Sequence, residues 1–115
     1  MDKLEVKIED RESGVRTIYA NGPVTLNTLF EFQDLMRKEK SKHLVISLAD
    51  VPYMDSAGLG AILGAFASSQ NHGGTFALAA VSERVQTLLK VARVDKLLPQ
   101  FNTVEDAEKA AVAKG

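Results

Sequence analysis

The sequence predicts an α/β fold, with a single mixed sheet of four to five strands and helices packed on it. The first twenty residues alternate apolar and polar side chains with the period of two that is typical of strands. After them, short apolar runs alternate with segments whose apolar residues recur at helical spacing. The chain has 115 residues, which suits one ordinary domain, and we expect residues 1–115 to form it.

A β-hairpin is predicted at the start of the chain. Leu4, Val6 and Ile8 alternate with charged residues and form the first strand. A polar turn over residues 10–14 leads to a second strand at residues 15–20. Because the connection is short, we expect the two strands to pair in antiparallel fashion.

The first helix is expected to begin between Thr25 and Thr28. Thr28 with Glu31 three residues later has the spacing of a capping box. The apolar residues of this segment form a wide stripe, which consists of Leu26, Leu29, Phe30, Phe32, Leu35 and Met36. The basic run at residues 37–40 suits the C-terminal end of a helix.

Three further strands and three further helices follow. The apolar run at residues 44–48 is typical of a central strand covered on both faces. We expect the next helix at residues 57–70 and the next strand at residues 76–80, and Ser82 to cap the third helix. The short final strand is expected to contain Leu97, Leu98 and Phe101, and Thr103 to open the last helix. Strand–helix–strand connections imply parallel pairing in the middle of the sheet.

Composition excludes several classes of function. The net charge is −1, whereas nucleic-acid-binding proteins usually carry a clear basic excess. The sequence has no cysteine, which excludes disulfides and thiolate metal sites. The N-terminal residues do not resemble a signal peptide, and no apolar run is long enough to span a membrane. We therefore expect a cytoplasmic protein with no nucleic acid, membrane, metal or cofactor among its partners.

The residue that carries the functional prediction is Ser56, at the junction between the central strand and the second helix. Backbone N–H groups at a helix start have no partner within the helix, and the helix dipole favours negative charge there. A phosphate on Ser56 is therefore tolerated and changes the surface charge abruptly. Asp55 directly precedes it.

Catalytic and ligand-binding patterns are weak. A serine nucleophile needs a nearby base, but His43 and His72 are both expected far from Ser56 and exposed to solvent. Asp50 and Asp55 lack a third metal ligand. Asp50 is interpreted as a turn residue, whereas for Asp55 both a capping role and a functional role beside Ser56 stay open. We predict no catalytic residues, and the protein is not expected to be an enzyme.

The glycines after Ser56 do not form a nucleotide fingerprint. Leu63 stands where the third glycine of a dinucleotide-binding loop would be required. Gly58, Gly60 and Gly64 are interpreted instead as sites of close backbone packing. Glycine inside a helix costs about 1 kcal/mol relative to alanine, so packing or a partner surface must offset that cost.

The stretch Asp50-Val-Pro-Tyr-Met-Asp-Ser-Ala-Gly-Leu-Gly-Ala-Ile-Leu-Gly64 resembles the signature of bacterial anti-sigma factor antagonists, which are stand-alone STAS domains. The resemblance covers most of the chain and includes Gly22, Gly73-Gly74 and residues 81–85. It implies the fold predicted above, with Ser56 as the phosphorylated residue.

Partner switching is the function that the resemblance implies. The kinase is the partner anti-sigma factor, a serine kinase of the histidine-kinase-like ATPase fold, and a metal-dependent serine phosphatase removes the phosphate. The unphosphorylated form binds the kinase and releases a sigma factor, a secretion regulator or a signalling enzyme such as a cyclase. The residues expected to contact the partner are Thr25, Asp55, Ser56, Ala57, Gly58, Leu59, Gly60, Ile62 and Leu63.

The sequence departs from the family pattern at two positions, and two alternatives stay open. Thr25 stands where many members have an acidic residue, which keeps the first alternative open, whereas Ala57 replaces the Ser or Thr that often follows the acceptor and leaves Ser56 as the only acceptor in the motif. The first alternative is a STAS accessory subunit of a transporter or signalling complex, in which Ser56 is never modified. The second is a small-ligand or nucleotide sensor that uses the start of the second helix as an anion site.

Overall fold

The computed structural model describes residues 3–114. Its five strands are β1 (Glu5–Asp10), β2 (Val15–Asn21), β3 (His43–Asp50), β4 (Thr75–Ala79) and β5 (Gln100–Phe101). Its four helices are α1 (Phe30–Lys38), α2 (Ser56–Asn71), α3 (Glu83–Val91) and α4 (Val104–Lys114). The predicted order of elements is confirmed along the whole described chain.

The strands form one mixed sheet in the order β1-β2-β3-β4-β5. The hairpin β1–β2 is antiparallel, with Ile8 opposite Ile18, and the other three pairings are parallel. Each parallel pairing is joined by one of the helices α1, α2 and α3, as a crossover connection requires. The predicted sheet and its hairpin are therefore confirmed.

The two faces of the sheet are covered differently. One face packs against α1, α2 and α3, and its core includes Ile18, Ile46, Phe32, Ile62, Leu78 and Leu89. The other face packs against α4 through a smaller cluster of Val15, Val45, Ala77, Ala79, Ala107 and Ala111. The second cluster consists of valine and alanine because α4 lies close to the strands.

Helix α4 is also held by a polar contact with the hairpin. Glu108 accepts hydrogen bonds from Arg11 Nε, at 2.9 Å, and from the hydroxyl of Thr17, which is fully buried. The same Arg11 donates to the hydroxyl of Tyr19 at 2.9 Å. The Oγ1 of Thr103 accepts from the N–H of Asp106 at 3.0 Å, and its carbonyl accepts from the N–H of Ala107 at 3.1 Å, so the predicted start of this helix is confirmed.

The predicted capping box of the first helix is wrong. Helix α1 begins later, and its N-cap position is Leu29, without a side-chain cap. The hydroxyl of Thr28 donates instead to the carbonyl of Pro23 at 2.7 Å and accepts from the N–H of Thr25 at 3.0 Å. Thr28 therefore closes the turn that precedes α1.

The last strand is shorter than expected. β5 contains only Gln100 and Phe101, so Leu97 and Leu98 lie outside it. Leu98 is buried, whereas Leu97 is exposed. Pro99 has no N–H to donate to a ladder, which explains why the strand does not extend toward the leucines.

His43 is buried, contrary to the prediction of a solvated side chain. It opens β3 opposite Thr75 of β4, and its Nδ1 lies 2.8 Å from the hydroxyl of that threonine. This hydrogen bond to the neighbouring strand offsets the free-energy cost of removing the polar ring from water. His72 follows α2 and is exposed, as predicted.

None of the helices among residues 3–114 is long and apolar enough to cross a membrane.

From the packing of the core, we expect truncation of a buried and of an exposed apolar side chain to change the free energy of unfolding by different amounts. Ile62 has no exposed surface, whereas Val91 is 75 % exposed. We expect Ile62→Ala to lower the free energy of unfolding by about 2–5 kcal/mol. The control Val91→Ala should change it by less than about 0.5 kcal/mol. Urea denaturation followed by circular dichroism measures both, and equal losses would contradict the described packing.

Candidate functional site

The candidate site is built from two loops at the C-terminal end of the parallel strands. The β2 loop comprises residues 22–29 and the β3 loop comprises residues 51–55; the latter leads directly into α2. A parallel bridge pairs Val24 with Met54, so the two loops continue the β2–β3 pairing beyond the strands. The loops therefore act as one structural unit beneath the start of α2.

Three backbone hydrogen bonds join the two loops. The N–H of Gly22 donates to the carbonyl of Asp50 at 3.0 Å, and the N–H of Val24 donates to the carbonyl of Tyr53 at 3.2 Å. In the return direction, the N–H of Asp55 donates to the carbonyl of Val24 at 3.3 Å. The register between the loops is fixed by these bonds.

Two glycines are required by this arrangement. Gly22 has φ +123°, and a Cβ atom there would lie 2.0 Å from the carbonyl oxygen of Lys3. A Cβ atom on Gly58 would lie 2.0 Å from the carbonyl oxygen of Val24. Both positions let backbone segments approach more closely than any side chain permits. The prediction of close packing is confirmed at Gly58.

The carboxylate of Asp55 links the loops to α2. Its Oδ1 accepts from the N–H of Gly58 at 2.9 Å, and its Oδ2 accepts from the N–H of Leu26 at 3.0 Å. Both bonds stabilise the ionised form and hold the pKa of this carboxyl below its usual range. The bond from Gly58 has the larger effect, and the bond from Leu26 the next largest. The predicted role of Asp55 as a cap is confirmed.

Ser56 is the first residue of α2 and is exposed. Its surroundings differ from the prediction in one respect, since the N–H of Gly58 is already bonded to the carboxylate of Asp55. The start of α2 is therefore not a vacant anion site. A negative group added to Ser56 would share the end of the helix with an ionised aspartate.

The β3 loop is also attached to α3. Ser82 precedes α3 as predicted, but its hydroxyl does not cap the helix; it donates to the carbonyl of Val51 at 2.7 Å. The guanidinium of Arg84 lies over the ring of Tyr53, 5.5 Å from its centre. These contacts attach the β3 loop to the start of α3.

The residues predicted to contact a partner fall into three groups. Ser56 and Gly60 are exposed. The partly buried group is Thr25, Asp55, Ala57 and Leu63. Gly58, Leu59 and Ile62 are buried, so in this conformation they lie in the core and offer a partner no side-chain surface. The predicted surface is therefore narrower on α2 than the motif suggests.

Gly60 and Gly64 do not pack closely against anything. Both are exposed, and a Cβ atom on either would have no neighbour within 4 Å. The prediction of tight packing is wrong at these two positions because they lie on the solvent side of α2. They leave that side of the helix flat.

Two residues of the apolar stripe predicted for the first helix lie at the surface. Leu26 is 73 % exposed and Phe30 is 76 % exposed. Leu26 lies in the turn whose N–H is bonded to Asp55, and Phe30 is the first residue of α1. A signal was available, since residues two positions apart point about 200° apart on a helix, and the buried Phe32 therefore turns Phe30 away from the core.

The arrangement offers little for catalysis or metal binding. Both histidines lie at the end of the fold opposite Ser56, since His43 opens β3 and His72 follows the last residue of α2. Among residues 3–114, no three acidic or histidine side chains are placed to hold a metal ion. The exposed Asp50 ends β3, and its carbonyl, as described above, takes part in the loop pairing.

Comparison with known proteins gives consistent matches. A family model described as the STAS domain matches residues 6–107. An anti-sigma F factor antagonist from Paenibacillus polymyxa is 27 % identical over 108 residues, which cover 90 % of this chain and 92 % of that protein.

Solved structures share the fold. An anti-sigma factor antagonist from Mycobacterium paratuberculosis superposes with a TM-score of 0.84 at 22 % identity, covering 94 % of this chain and 93 % of that one. The murine anion transporter Solute Carrier 26 family member A9 superposes with a TM-score of 0.76 at 13 % identity, covering 98 % of this chain but 22 % of the transporter. With the family model matching most of its length, the chain belongs to the STAS domain family.

Proposed function

We propose that this protein is a phosphorylation-controlled partner switch. Its unphosphorylated form binds an anti-sigma factor that is also a serine kinase of the histidine-kinase-like ATPase fold, and the kinase then releases a sigma factor or another client. Phosphorylation of Ser56 blocks binding, and a metal-dependent serine phosphatase restores it. The observation that carries the proposal is the exposed Ser56 at the start of α2, whose neighbour Asp55 is hydrogen-bonded to the backbone of the exposed Leu26.

The proposed docking surface, called the Ser56 surface below, consists of Leu26, Phe30, Ser56 and Gly60. Two large apolar side chains exposed by more than 70 % supply the area that a partner would bury. The flat side of α2 at Gly60 permits close approach of a second backbone. Because Asp55 holds the N–H of Leu26, the apolar turn and the acceptor serine keep a fixed relation.

Electrostatics explain how a phosphate would act as a switch. A phosphoserine carries about −1.5 to −2 charges at neutral pH. Asp55, whose lowered pKa keeps it ionised, lies next to that group and adds to the negative charge. Burying these two negative groups against a partner removes them from water and brings them close together, and both effects weaken binding. A loss of about 3 kcal/mol of binding free energy weakens a complex more than a hundredfold.

The free protein should tolerate the same phosphate. Ser56 is exposed at the N-terminal end of a helix, where the dipole favours negative charge. Its side chain takes no part in the core, so the modification need not disturb the packing around Ile62. The switch therefore acts on docking and leaves the fold intact.

A second candidate is favoured by one observation. The chain superposes on part of an anion transporter as well as on a stand-alone antagonist. Thr25, which replaces the acidic residue of many relatives, presents a hydroxyl 3.4 Å from that of Thr28, so the β2 loop is neutral at this point. An accessory subunit of a transporter or signalling complex would use the Ser56 surface to bind its partner, and its Ser56 would never be phosphorylated.

The acceptor assignment is tested with the cognate kinase and ATP. We expect intact mass spectrometry to show one added phosphate on the wild type and none on Ser56→Ala. Ser68→Ala, on the same helix, should accept phosphate as the wild type does. Phosphate on another residue, or co-purification with a membrane protein and no phosphorylated form in native cells, would favour the second candidate.

The apolar part of the surface is tested by truncation. We expect Leu26→Ala with Phe30→Ala to weaken binding of the anti-sigma factor by at least about tenfold, because anchoring side chains in an interface each contribute more than about 1 kcal/mol. Unfolding free energy should change by less than about 0.5 kcal/mol per site, since both residues are exposed. Calorimetric titration measures the affinity, and Val91→Ala is the matched control. Unchanged affinity in the double variant would exclude these residues from the interface.

The role of Asp55 as a link predicts a pH-dependent stability difference. Asp55→Ala should lower the unfolding free energy by about 1 kcal/mol at pH 7, as loss of an N-cap does. The pKa of Asp55 is lower in the folded protein than in the unfolded protein. Its carboxylate therefore contributes to the free energy of unfolding above the unfolded pKa of about 3.9, and this contribution disappears as the pH falls through the lower folded pKa. Urea denaturation at several pH values should show the two proteins converging in acid. Asp50→Ala serves as the control, and a gap that widens in acid would contradict the assignment.

A further inference from the structure

Strand β1 is an open edge of the sheet. It is the first strand in the sheet order and pairs only with β2 among the described elements. Four of its six residues are exposed, and Ile8 is 39 % exposed. The strand contains neither a proline nor a bulge, which are common means of blocking an edge. The outer side of β1 therefore has no partner strand among the described residues, and its charged side chains decide which strand can pair with it.

The backbone groups that face outward are those of the even-numbered residues. In an antiparallel ladder, the N–H and C=O of a residue point to the same side, and the side alternates along the strand. The N–H of Arg11 donates to the carbonyl of Val15, so the odd-numbered residues bond toward β2. Val6, Ile8 and Asp10 therefore present their N–H and C=O groups at the open edge.

The odd-numbered side chains form a row of alternating charge on one face of the sheet. The row runs Lys3, Glu5, Lys7, Glu9 and Arg11, which is positive, negative, positive, negative and positive. Within the chain, Glu9 already forms ion pairs with Lys7 at 3.1 Å and with Arg11 at 2.9 Å. An alternating row can be complementary to an inverted copy of itself.

We propose that β1 is a self-association surface, through which two copies of this chain pair antiparallel about a twofold axis at Ile8. The pairing joins two five-stranded sheets into one and places each Lys7 opposite Glu9 of the second copy, and each Glu5 opposite Arg11 of the second copy. Ile8 meets its own counterpart, which buries its exposed part. Outward-facing groups of Val6, Ile8 and Asp10 form the new ladder.

Charge and backbone geometry select this register. An axis at Lys7 or at Glu9 also brings outward-facing groups together, but it sets lysine against lysine or glutamate against glutamate, which is destabilising. An axis at Val6 pairs opposite charges as well, yet it needs residues 3 and 4, which lie outside β1, and it centres on a half-buried valine. The axis at Ile8 is the register that uses β1 itself.

The association should be reversible. One short strand pair buries less than the roughly 800 Å² per partner of a standard stable interface. We therefore expect a dissociation constant of about 10–100 μM. β2 separates β1 from β3, whose loop leads into α2 and Ser56, and the self-association does not depend on the proposed function.

Sedimentation equilibrium of the purified chain over about 1 μM to 1 mM tests the proposal. The wild type should change from monomer to dimer over this range. Lys7→Glu should weaken dimerisation by at least about tenfold, because it opposes like charges twice across the axis. Adding Glu9→Lys to that variant should restore the wild-type constant, since the two pairs are then complementary with their signs exchanged. Lys42→Glu, an exposed control with the same change in net charge, should dimerise as the wild type does.

Other outcomes would overturn the proposal. A wild type that stays monomeric at 1 mM would show that the charged row guards the edge against pairing. Failure of Glu9→Lys to restore association, with rescue of Lys7→Glu by Glu5→Lys instead, would place the axis at Val6 and refute the stated register. Circular dichroism of each variant establishes that the fold is retained, so a loss of pairing cannot be confused with unfolding.

Discussion

The carboxylate of Asp55 is the interaction on which the candidate site depends. One oxygen holds the N–H of Gly58 at the start of α2, and the other holds the N–H of Leu26 in the turn before α1. The carboxylate therefore links the start of α2 to the turn before α1, in addition to the three backbone hydrogen bonds that join the two loops. Because the carboxylate is ionised and partly buried, both bonds are charge-assisted and stronger than bonds between neutral groups.

The periodic elements of the fold could be predicted from sequence, whereas details set by tertiary contacts could not. The hairpin and the central strand β3 have clear apolar patterns, and the order of elements follows from them. The sequence pattern places the start of α1 too early, because Thr28 closes a turn through Pro23 and a spacing rule does not detect that contact. The burial of His43 depends on Thr75 of a neighbouring strand, which local sequence does not reveal.

The candidate site shows the same division. Ser56 and its cap Asp55 lie in one contiguous motif, so their placement at a helix start could be predicted. The motif does not indicate which of its apolar residues face outward, and Leu59 and Ile62 are buried. The apolar part of the proposed surface comes from a segment distant in sequence. The hydrogen-bonded β2 and β3 loops bring the N–H of Leu26 to the carboxylate of Asp55, the neighbour of Ser56.

The close approach at Gly58 affects how mutational maps of this region should be interpreted. Any side chain there would collide with the carbonyl of Val24, which belongs to the other loop. A Gly58 variant that no longer binds the partner would show that the two backbone segments have moved apart. It would not show that Gly58 itself contacts the partner. Scanning mutagenesis across the motif will therefore overestimate the area that contacts the partner, unless each loss of binding is accompanied by a measurement of the loop conformation.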